Sequence, residues 1–533
     1  MDTTKPLRVA ILVGQKDGFE SWELMVFDRI LADPRFELVT LLVHPHPFGN
    51  RHASPLFALG AGLERKLLAR EAPYRPRHFD TGKQRFDDLQ TIVAGNGSTG
   101  DPIRTLIEKL DLDLVIRTTP EGLTKGAIAA LPFGEWAFSF SSQRSEHADW
   151  FSYADVMAKA PATEAVLYVR QGSDAHMAQV AAPSFNIKFS AARNAAFVRE
   201  RSVTLLMREL VRLADRGKLE TQPLPRLTEP SAPTYGDFFR YAGVLGGYLS
   251  GRVLKAIRAK FRSGSAVWTL YTGRGRIDDF DPSQSVEVPS TKYDIKADPF
   301  LFQHEGECYL FYEAYADGDR KAHIAVGRFV GDKVERVGVA LDCPHHLSYP
   351  FIFREGDDIF MMPETHQSHR IEIWRCTEFP LKWELYSTAL DGQSPADSIL
   401  TRHGGKWWLF TNLSEYHAYE DHCSELYLFE VDGPELKRVT PHKQNPVVIG
   451  STVARNAGRI FERDGRIYRP SQRNVHGVYG YGLNVMEIEE LTLDTYRERC
   501  IRTIKPDFKT GLLGCHHFDA AGERYVLDAR LSM

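Results

Sequence analysis

Cysteine is scarce in this 533-residue sequence, and the little that is present lies late in the chain. The six cysteines are widely spaced, none precedes residue 308, and no two form a CxxC pair. Disulfide-stapled secreted domains and zinc ribbons need paired, closely spaced cysteines. The sequence therefore argues against both classes and is typical of a protein of a reducing compartment.

Long apolar runs and an excess of one charge are missing as well. The N-terminal apolar run, Val9–Val13, has five residues, whereas a secretory signal needs ~7–15 and a membrane span ~20. The 66 basic and 70 acidic residues nearly balance, so no overall field attracts a phosphate backbone. We expect a cytoplasmic protein, at most peripheral to a membrane, that does not bind nucleic acid.

The length calls for two large domains, since single cores stop growing near ~250–300 residues. In residues 1–217 apolar runs alternate with helix-period segments, which predicts a doubly wound α/β sheet. The predicted strands span 8–14, 36–43, 112–117 and 135–140, and the predicted helices span 21–31, 103–110 and 123–131. Ligands of such sheets bind beyond the carboxyl ends of the strands, so we expect a site in the loops after Val13, Arg117 and Phe140.

Residues 218–265 form a predicted connector. Four prolines between Lys218 and Pro233 prevent a regular helix there. The helical segment 235–262 follows, apolar first and basic later. A basic amphipathic helix can lie on an anionic membrane, here the inner membrane surface. The alternative is a connector packed between the domains, since its glycines weaken an isolated helix.

A hairpin motif recurs five times after residue 266. Each copy has an apolar, mostly aromatic strand, a polar turn with glycine and a second strand; the copies are anchored on Phe302, Phe353, Leu400, Phe461 and Phe518. The anchors are 51, 47, 61 and 57 residues apart, which suits a four-stranded blade with its turns. We predict an all-β five-bladed β-propeller over 266–533; a β-sandwich, the alternative, needs no such period.

Superposing the repeats brings four carboxylates to the central funnel, Asp298, Glu313, Glu364 and Asp397. Carboxylates in different surroundings can divide acid and base roles, which is what glycosidic-bond chemistry requires. We predict these four as the catalytic residues. The structural alternative is that the aspartates cap turns and the glutamates pair with arginines across blades.

Cations and histidines also gather near the predicted funnel. Arg455 and Arg469 could each bind a phosphate or carboxylate through two hydrogen bonds. The pairs 345–346 and 516–517 are histidines, but neither has the spacing that shares a metal on one element. We predict no metal and no bound cofactor; a nucleotide-sugar donor is compatible with the site.

A series of short motifs runs in order through this half of the chain, including Ala297–Phe300, Leu310–Glu313, His346–Phe351, Ala396–Ser398 and Arg469–Gln472. Through these motifs, residues 266–533 resemble the propeller-like N-terminal domain of plant glucosamine inositolphosphorylceramide transferases, which also occurs in bacterial proteins of surface-glycan loci. The resemblance implies an enzyme of polysaccharide or glycolipid biosynthesis with a saccharide or glycolipid acceptor. The expected substrate-binding residues are His346, Tyr349, Arg455, Arg469, Gln472 and Tyr479.

A more distant resemblance concerns Asp298–Pro299, which is similar to five-bladed glycosidases of the arabinanase and invertase type. In those enzymes an aspartate of the first blade is the base or nucleophile and a glutamate of the third is the acid. Here Tyr349 stands where a second acid is expected, and Asp397 heads the third blade.

The first domain is similar to formyltransferases that act on methionyl-tRNA or sugar nucleotides, through Leu114–Arg117, Gly134–Phe138 and Gly172–Asp174. That family uses an asparagine and a histidine after the fourth strand and an aspartate later. Here Ser139–Ser142 occupies the histidine region and only Asp174 matches, so we expect formyl transfer to be lost. The resemblance implies a formyltransferase-like fold repurposed to bind a nucleotide or an acceptor.

The leading hypothesis is a glycosyltransferase that holds its saccharide in the funnel. A glycoside hydrolase using the same carboxylates would release free sugar without a nucleotide donor. A non-catalytic glycan-binding adaptor would bind sugar and form no product. Formyl transfer by the first domain would depend on formyl-folate.

Overall fold

The computed structural model describes residues 5–14, 19–43, 53–69, 90–93, 102–119, 122–140, 150–224, 233–260, 266–289, 294–316, 321–414 and 421–532. The chain divides into two compact units, Met1–Ser250 and Gly251–Met533. The division falls inside the segment 218–265 that the sequence predicts as a connector. In the part of the chain described, no helix is long and apolar enough to cross a membrane.

The helices and strands of the first unit alternate along the chain. The helices are α1 (Ser21–Ala32), α2 (Pro55–Leu68), α3 (Pro102–Lys109), α4 (Lys125–Ile128), α5 (Phe151–Met157), α6 (Ala191–Arg216) and α7 (Tyr235–Lys260), the last of which runs on into the second unit. The strands are β1 (Leu7–Val13), β2 (Phe36–Val43), β3 (Gln90–Val93), β4 (Leu114–Arg117), β5 (Glu135–Phe140), β6 (Ala162–Gln171), β7 (His176–Ala181), β8 (Ser184–Asn186) and β9 (Gln222–Pro223).

These strands form one sheet in the order β3-β2-β1-β4-β5-β6-β7-β9, with β8 paired to β6. The strands β1 to β5 are parallel, and β6 and β7 are antiparallel to their neighbours. The apolar run of β1 is buried because Ala10 and Leu12 pack with Ile107 of α3 and Ile128 of α4. On other strands α1 packs on β2 and α6 packs on β6.

The predicted strands 36–43 and 135–140 are confirmed at the same bounds. The helix predicted over 123–131 is shorter, because Thr124 caps its start by accepting a hydrogen bond from the Ala127 N–H. The loops proposed as a ligand site lie mainly outside the described residues, at 15–18, 120–121 and 141–149. The likeness of this unit to formyltransferases stays a prediction.

The second unit is built from strands, which are β10 (Ala266–Arg274), β11 (Val286–Glu287), β12 (Asp294–His304), β13 (Glu307–Ala316), β14 (His323–Val330), β15 (Lys333–Leu341), β16 (Ser348–Glu355), β17 (Asp358–Glu364), β18 (Ile371–Glu378), β19 (Lys382–Ala389), β20 (Pro395–His403), β21 (Lys406–Leu413), β22 (Glu425–Val431), β23 (Val439–Pro441), β24 (Val448–Ile449), β25 (Phe461–Arg463), β26 (Arg466–Val475), β27 (Val478–Leu491), β28 (Tyr496–Ile504), β29 (Leu512–Gly514), β30 (Phe518–Ala521) and β31 (Arg524–Ser532).

Five antiparallel sheets follow one another as the blades of a propeller, so the predicted five-bladed fold is confirmed. Blades one to four are β12–β15, β16–β19, β20–β24 and β25–β28. Each of the five repeat anchors lies on the first strand of its motif, from Phe302 on β12 to Phe518 on β30. Neighbouring blades pack face to face; one apolar cluster joins Phe311, Phe353 and Leu409 of the first three blades.

The fifth blade joins the two ends of the second unit. Its sheet has the order β11-β10-β31-β29, with β30 also paired to β31. Nine residue pairs connect β10 to β31, from Ala266 with Ser532 to Arg274 with Arg524. The repeat motif gives only the C-terminal strands of this blade, because β10 and β11 precede the first repeat and have no hairpin of that type.

Candidate active site

Three inner strands contain the same irregularity at the centre of the propeller. The pairing of β12, β16 and β20 with the next strand skips at Asp298, Tyr349 and Asp397. Each residue is left-handed, with φ of 49°, 48° and 46°. This conformation costs a non-glycine residue ~1–2 kcal/mol, and such bulges re-aim a side chain. The three side chains lie close enough to interact electrostatically.

A glutamate faces the first two bulges from the neighbouring strand. Glu313 on β13 pairs with Ala297, and Glu364 on β17 pairs with Ser348. In the third blade Asn412 takes the equivalent place. The four carboxylates predicted from the repeats therefore gather at one centre, where the charges of Asp298, Glu313, Glu364 and Asp397 affect one another.

Glu313 holds a proton near neutral pH. Burial raises the pKa of its carboxyl to about 7, and His346 opposes that rise. The Nε2 atom of His346 lies 3.3 Å from Oε1 of Glu313. Its Nδ1 atom accepts a hydrogen bond from the Ala322 N–H at 3.2 Å, so the neutral ring carries its hydrogen on Nε2, toward Glu313. Predicted from sequence as a substrate-binding residue, His346 thus orients the Glu313 carboxyl.

The pKa of the Asp298 carboxyl is shifted in the opposite direction, downward. Burial alone would raise the pKa of its carboxyl, but the imidazoles of His517 and His516 hold it below the ordinary value. Nδ1 of His517 lies 3.5 Å and Nε2 of His516 lies 3.7 Å from Oδ1 of Asp298. Below about pH 7, Asp298 and Glu313, on paired strands, are therefore an ionised and a protonated carboxyl.

His516 is the cation of this half of the centre. Its Nδ1 atom lies 2.6 Å from Oδ2 of Asp528, and its ring stacks on Trp268 with centroids 4.0 Å apart. Burial would lower the pKa of His516, but Asp528 and Asp298 raise it to about 9. The backbone N–H groups of His516, His517 and Asp298 all donate to the Asp528 carboxylate.

Asp298, His516 and Asp528 also form a group able to hold a metal ion, since their ligand atoms lie within 4.8 Å of one another. Asp528, however, already accepts three backbone N–H bonds. The 2.6 Å between His516 and Asp528 is typical of an ion pair rather than of two ligands around one ion. The protonated imidazole supplies the positive charge that a metal would bring.

Arg455 joins the other two carboxylates. It donates to Asp397 at 2.6 and 3.1 Å and to Glu364 at 3.3 Å. Burial would raise the pKa of Glu364, but His366 and Arg455 hold it well below its usual range. Burial raises the pKa of Asp397 against the effect of Arg455. Gln472 donates to Asp397 at 3.3 Å, so this predicted substrate-binding residue also contacts the carboxylate.

Two predicted substrate-binding side chains are fully buried with partners inside the protein. The Tyr349 hydroxyl accepts from the Gly458 N–H at 2.8 Å and lies 3.2 Å from its carbonyl oxygen, to which it donates. The Arg469 guanidinium donates to Glu498 at 2.6 and 2.9 Å. Both side chains hold parts of the propeller together here, Arg469 by joining β26 to β28 within one blade, and their binding roles stay predictions.

Tyr479 belongs to the same centre, and its side chain is 41% exposed. The Arg455 guanidinium lies 5.2 Å from its ring centroid, and the Gln472 amide lies 3.5 Å from its hydroxyl. Its neighbour Gly480 packs against His516, where a Cβ atom would lie 2.6 Å from the histidine Cβ. An aromatic ring fixed beside carboxylates is suited to stack on a sugar.

Four residues of this centre, Trp268, His366, His516 and Asp528, are not among the site residues predicted from the sequence. Asp528 occupies in the fifth repeat the place that Glu313 has in the first, so the repeat alignment contains a signal for it. The repeat alignment also places His516 at the funnel, but it predicts no role in the reaction for this residue. Trp268 precedes the first repeat and has no sequence signal of this kind.

In the first unit, Asp174 lies exposed in the turn between β6 and β7. The segment expected to replace the formyltransferase histidine, Ser139–Ser142, is described only for its first two residues, which end β5. No catalytic arrangement in the described part of this unit involves Asp174.

Comparison with known proteins matches the propeller to part of a transferase. Residues 283–512 match the sequence family described as "Glucosamine inositolphosphorylceramide transferase 1, N-terminal". The rice (Oryza sativa subsp. japonica) glucosamine inositolphosphorylceramide transferase 1 is 36% identical over 233 residues, which are 42% of this chain and 31% of that protein. The Arabidopsis thaliana protein of the same name is 34% identical over 207 residues, 38% of this chain and 26% of its own length. The chain thus spans less than a third of either relative.

Two solved structures show weaker likeness. The family 117 glycoside hydrolase Zg3597 of Zobellia galactanivorans gives a TM-score of 0.34 at 11% identity, covering 50% of this chain and 90% of that one. An exo-β-1,3-galactanase from Clostridium thermocellum gives 0.32 at 12% identity, covering 49% and 62%. These scores are too low to add to the fold described above.

Proposed function

We propose that this protein is a carbohydrate-active enzyme that acts on a glycosidic bond at the centre of the propeller. The observation that carries the proposal is the contrast between two neighbouring carboxyls. Burial keeps Glu313 protonated to about pH 7, and two imidazoles keep Asp298 ionised. Enzymes that form or break glycosidic bonds need one carboxyl in each state.

In this mechanism Glu313 gives its proton to the oxygen that leaves the anomeric carbon. Asp298, ionised, acts as the base or nucleophile on the other side of the reaction. His346 directs its Nε2 hydrogen to Glu313 and stabilises the carboxylate that forms. His516 balances the charge of Asp298. Tyr479 offers a ring on which the sugar can stack.

Glycosyl transfer is the preferred form of this reaction. It is supported by the similarity of residues 283–512 to proteins named glucosamine inositolphosphorylceramide transferase. The acceptor of such a reaction is a glycosphingolipid, which agrees with the saccharide or glycolipid acceptor expected from the sequence. The enzyme would then belong to glycolipid or polysaccharide biosynthesis, take its sugar from a nucleotide-sugar donor, and work in the cytoplasm at a membrane surface.

Hydrolysis is the second candidate, and the two arginines favour it. Arg455 and Arg469, proposed from sequence to bind a phosphate or carboxylate, donate to the protein's own carboxylates Asp397, Glu364 and Glu498. A diphosphate donor would need other cations. A hydrolase needs only water and the carboxylates.

The test incubates the full-length protein with glycolipid and oligosaccharide acceptors, with and without a panel of nucleotide sugars, and follows products by mass spectrometry. The variants are Asp298→Asn and Glu313→Gln, and the matched control is Glu307→Gln, an exposed glutamate on the same strand as Glu313. Elongated product that needs the nucleotide sugar supports transfer, and free sugar without a donor supports hydrolysis. Sugar binding without product in either case contradicts the enzyme and indicates an adaptor.

A further inference from the structure

Helix α7 has an uncharged side that no described part of the chain covers. Tyr235, Phe239, Val253, Leu254 and Ile257 are between 48% and 67% exposed. At 3.6 residues per turn the five positions fall within a sector of about 100°, so they lie along one side of the 26-residue helix. The other side of its first half is packed, because Phe238, Tyr241 and Leu245 join an apolar cluster of the first unit.

Helix α2 continues this apolar surface in the first unit. Leu59, Leu63 and Leu67 recur every four residues on α2 and are between 50% and 72% exposed. The two helices are in contact, since Gly60 of α2 lies against the ring of Phe238 of α7. A contiguous set of large exposed apolar side chains marks an interaction surface.

The charge of the two helices selects the partner. Their sequences contain seven basic and two acidic residues. Glu64 is buried and accepts from the Ala192 N–H at 2.9 Å, and Asp237 accepts from the Thr234 N–H at 2.8 Å at the start of α7. The sequences of these helices are therefore net positive, and an apolar strip on a basic helix is the pattern of a helix that lies in the surface of an anionic bilayer.

We infer that α2 and α7 dock the protein on an anionic lipid membrane, with Phe239 and Leu63 inserted among the lipids. The packed alternative expected for the connector would bury this side of α7. The inference extends the proposed function, because a glycolipid acceptor is reached at a membrane, but it can be tested without any enzymatic activity.

The test is flotation of the full-length protein with vesicles of phosphatidylcholine alone or mixed with phosphatidylglycerol. We expect binding to the mixed vesicles, weakened by salt, and a fall of about tenfold or more for Phe239→Glu and for Leu63→Glu. The matched control is Leu385→Glu, a comparably exposed leucine on β19 of the propeller, which should bind as the parent does. Thermal unfolding checks that each variant is folded.

Two results would overturn the inference. One is the absence of binding to either vesicle, and the other is binding that the two substitutions on α2 and α7 leave unchanged. If Phe239→Glu instead converts a dimer to a monomer in size-exclusion chromatography without vesicles, the surface joins two copies of the chain. Loss of vesicle binding with intact glycosyl transfer to a soluble acceptor separates this inference from the proposed function.

Discussion

Single residues decide where protons lie at this centre. Asp298 and Glu313 are on paired strands, yet imidazoles act on the first carboxyl and burial dominates the second. The neighbours decide which of the two carboxyls is ionised and which is protonated, because both groups have similar pKa values in water.

The pKa of Glu313 links stability to pH. Because its pKa rises from 4.5 unfolded to about 7 folded, folding favours the protonated form. Its contribution is complete below the unfolded pKa and is lost as the pH rises through 7. We expect Glu313→Gln to lack this loss, so that the melting temperature of the variant gains on the parent between pH 5 and pH 8. A constant difference between the two proteins across that range would contradict the assignment.

The same ionisation predicts the rate profile. Above about pH 7 the acid form of Glu313 disappears, so kcat should fall on the alkaline side in any assay the protein supports. Glu313→Gln should remove activity while the Glu307→Gln control keeps it. If kcat falls at the same alkaline pH in a variant without His346 as in the parent, His346 does not influence the pKa of Glu313.

The hydrogen bonds of the Tyr349 hydroxyl contribute to the free energy of unfolding, and this contribution can be measured. Tyr349→Phe removes the partner of the buried Gly458 N–H and carbonyl. Leaving buried polar groups unpaired costs about 1–3 kcal/mol, so the propeller should unfold at lower urea. Tyr479→Phe is the control, since its hydroxyl accepts only a long, 3.5 Å hydrogen bond from the Gln472 amide, and it should change stability little. If both variants are equally stable, the hydrogen bonds between the Tyr349 hydroxyl and Gly458 do not stabilise the propeller.

The position of the Tyr479 ring beside the carboxylates depends on the hairpin that carries it. The hairpin of β26 and β27 carries Tyr479 and is held where Gly480, with φ of 62°, packs against His516. Gly480→Ala adds a methyl group into that contact, so it should lower the melting temperature and displace Tyr479. Gly465→Ala has a similar φ of 73° but open space around it. It should cost only the left-handed strain of ~1–2 kcal/mol. Similar losses in the two variants would contradict the packing role.

The strands were predictable because their signal is local. Phe302 and Phe353 stand at equal places in similar hairpins, and the period of those hairpins gives the number of blades. The same alignment places Glu313 and Glu364 opposite the bulges. Partners from other strands give no such signal: Arg469 meets Glu498 on a strand that the motif does not include, and the Tyr349 hydroxyl crosses to Gly458.

At the scale of the whole molecule, the ring is closed by β10 and β31, which come from opposite ends of the second unit. A chain ending at Gly522 lacks β31 and leaves β10 without its nine partners. We expect it to lose the cooperative unfolding transition of the propeller and to be cut rapidly by protease. A chain ending at Leu531 keeps eight of the nine pairs and is the control. Equal protease resistance of the two chains would show that closure is dispensable.

Because β10 pairs with β31, the fifth blade can close only after the last strand of the chain has been synthesised. Ala266 and its partner Ser532 are separated by 266 residues, 532 minus 266. At about 5–20 residues per second, a ribosome needs roughly 13–53 seconds to make that stretch. During this interval β10 is outside the ribosome with an unpaired edge, the kind of edge that invites association with other chains. Slow translation of the last blades would therefore lengthen the period in which the nascent protein depends on chaperones.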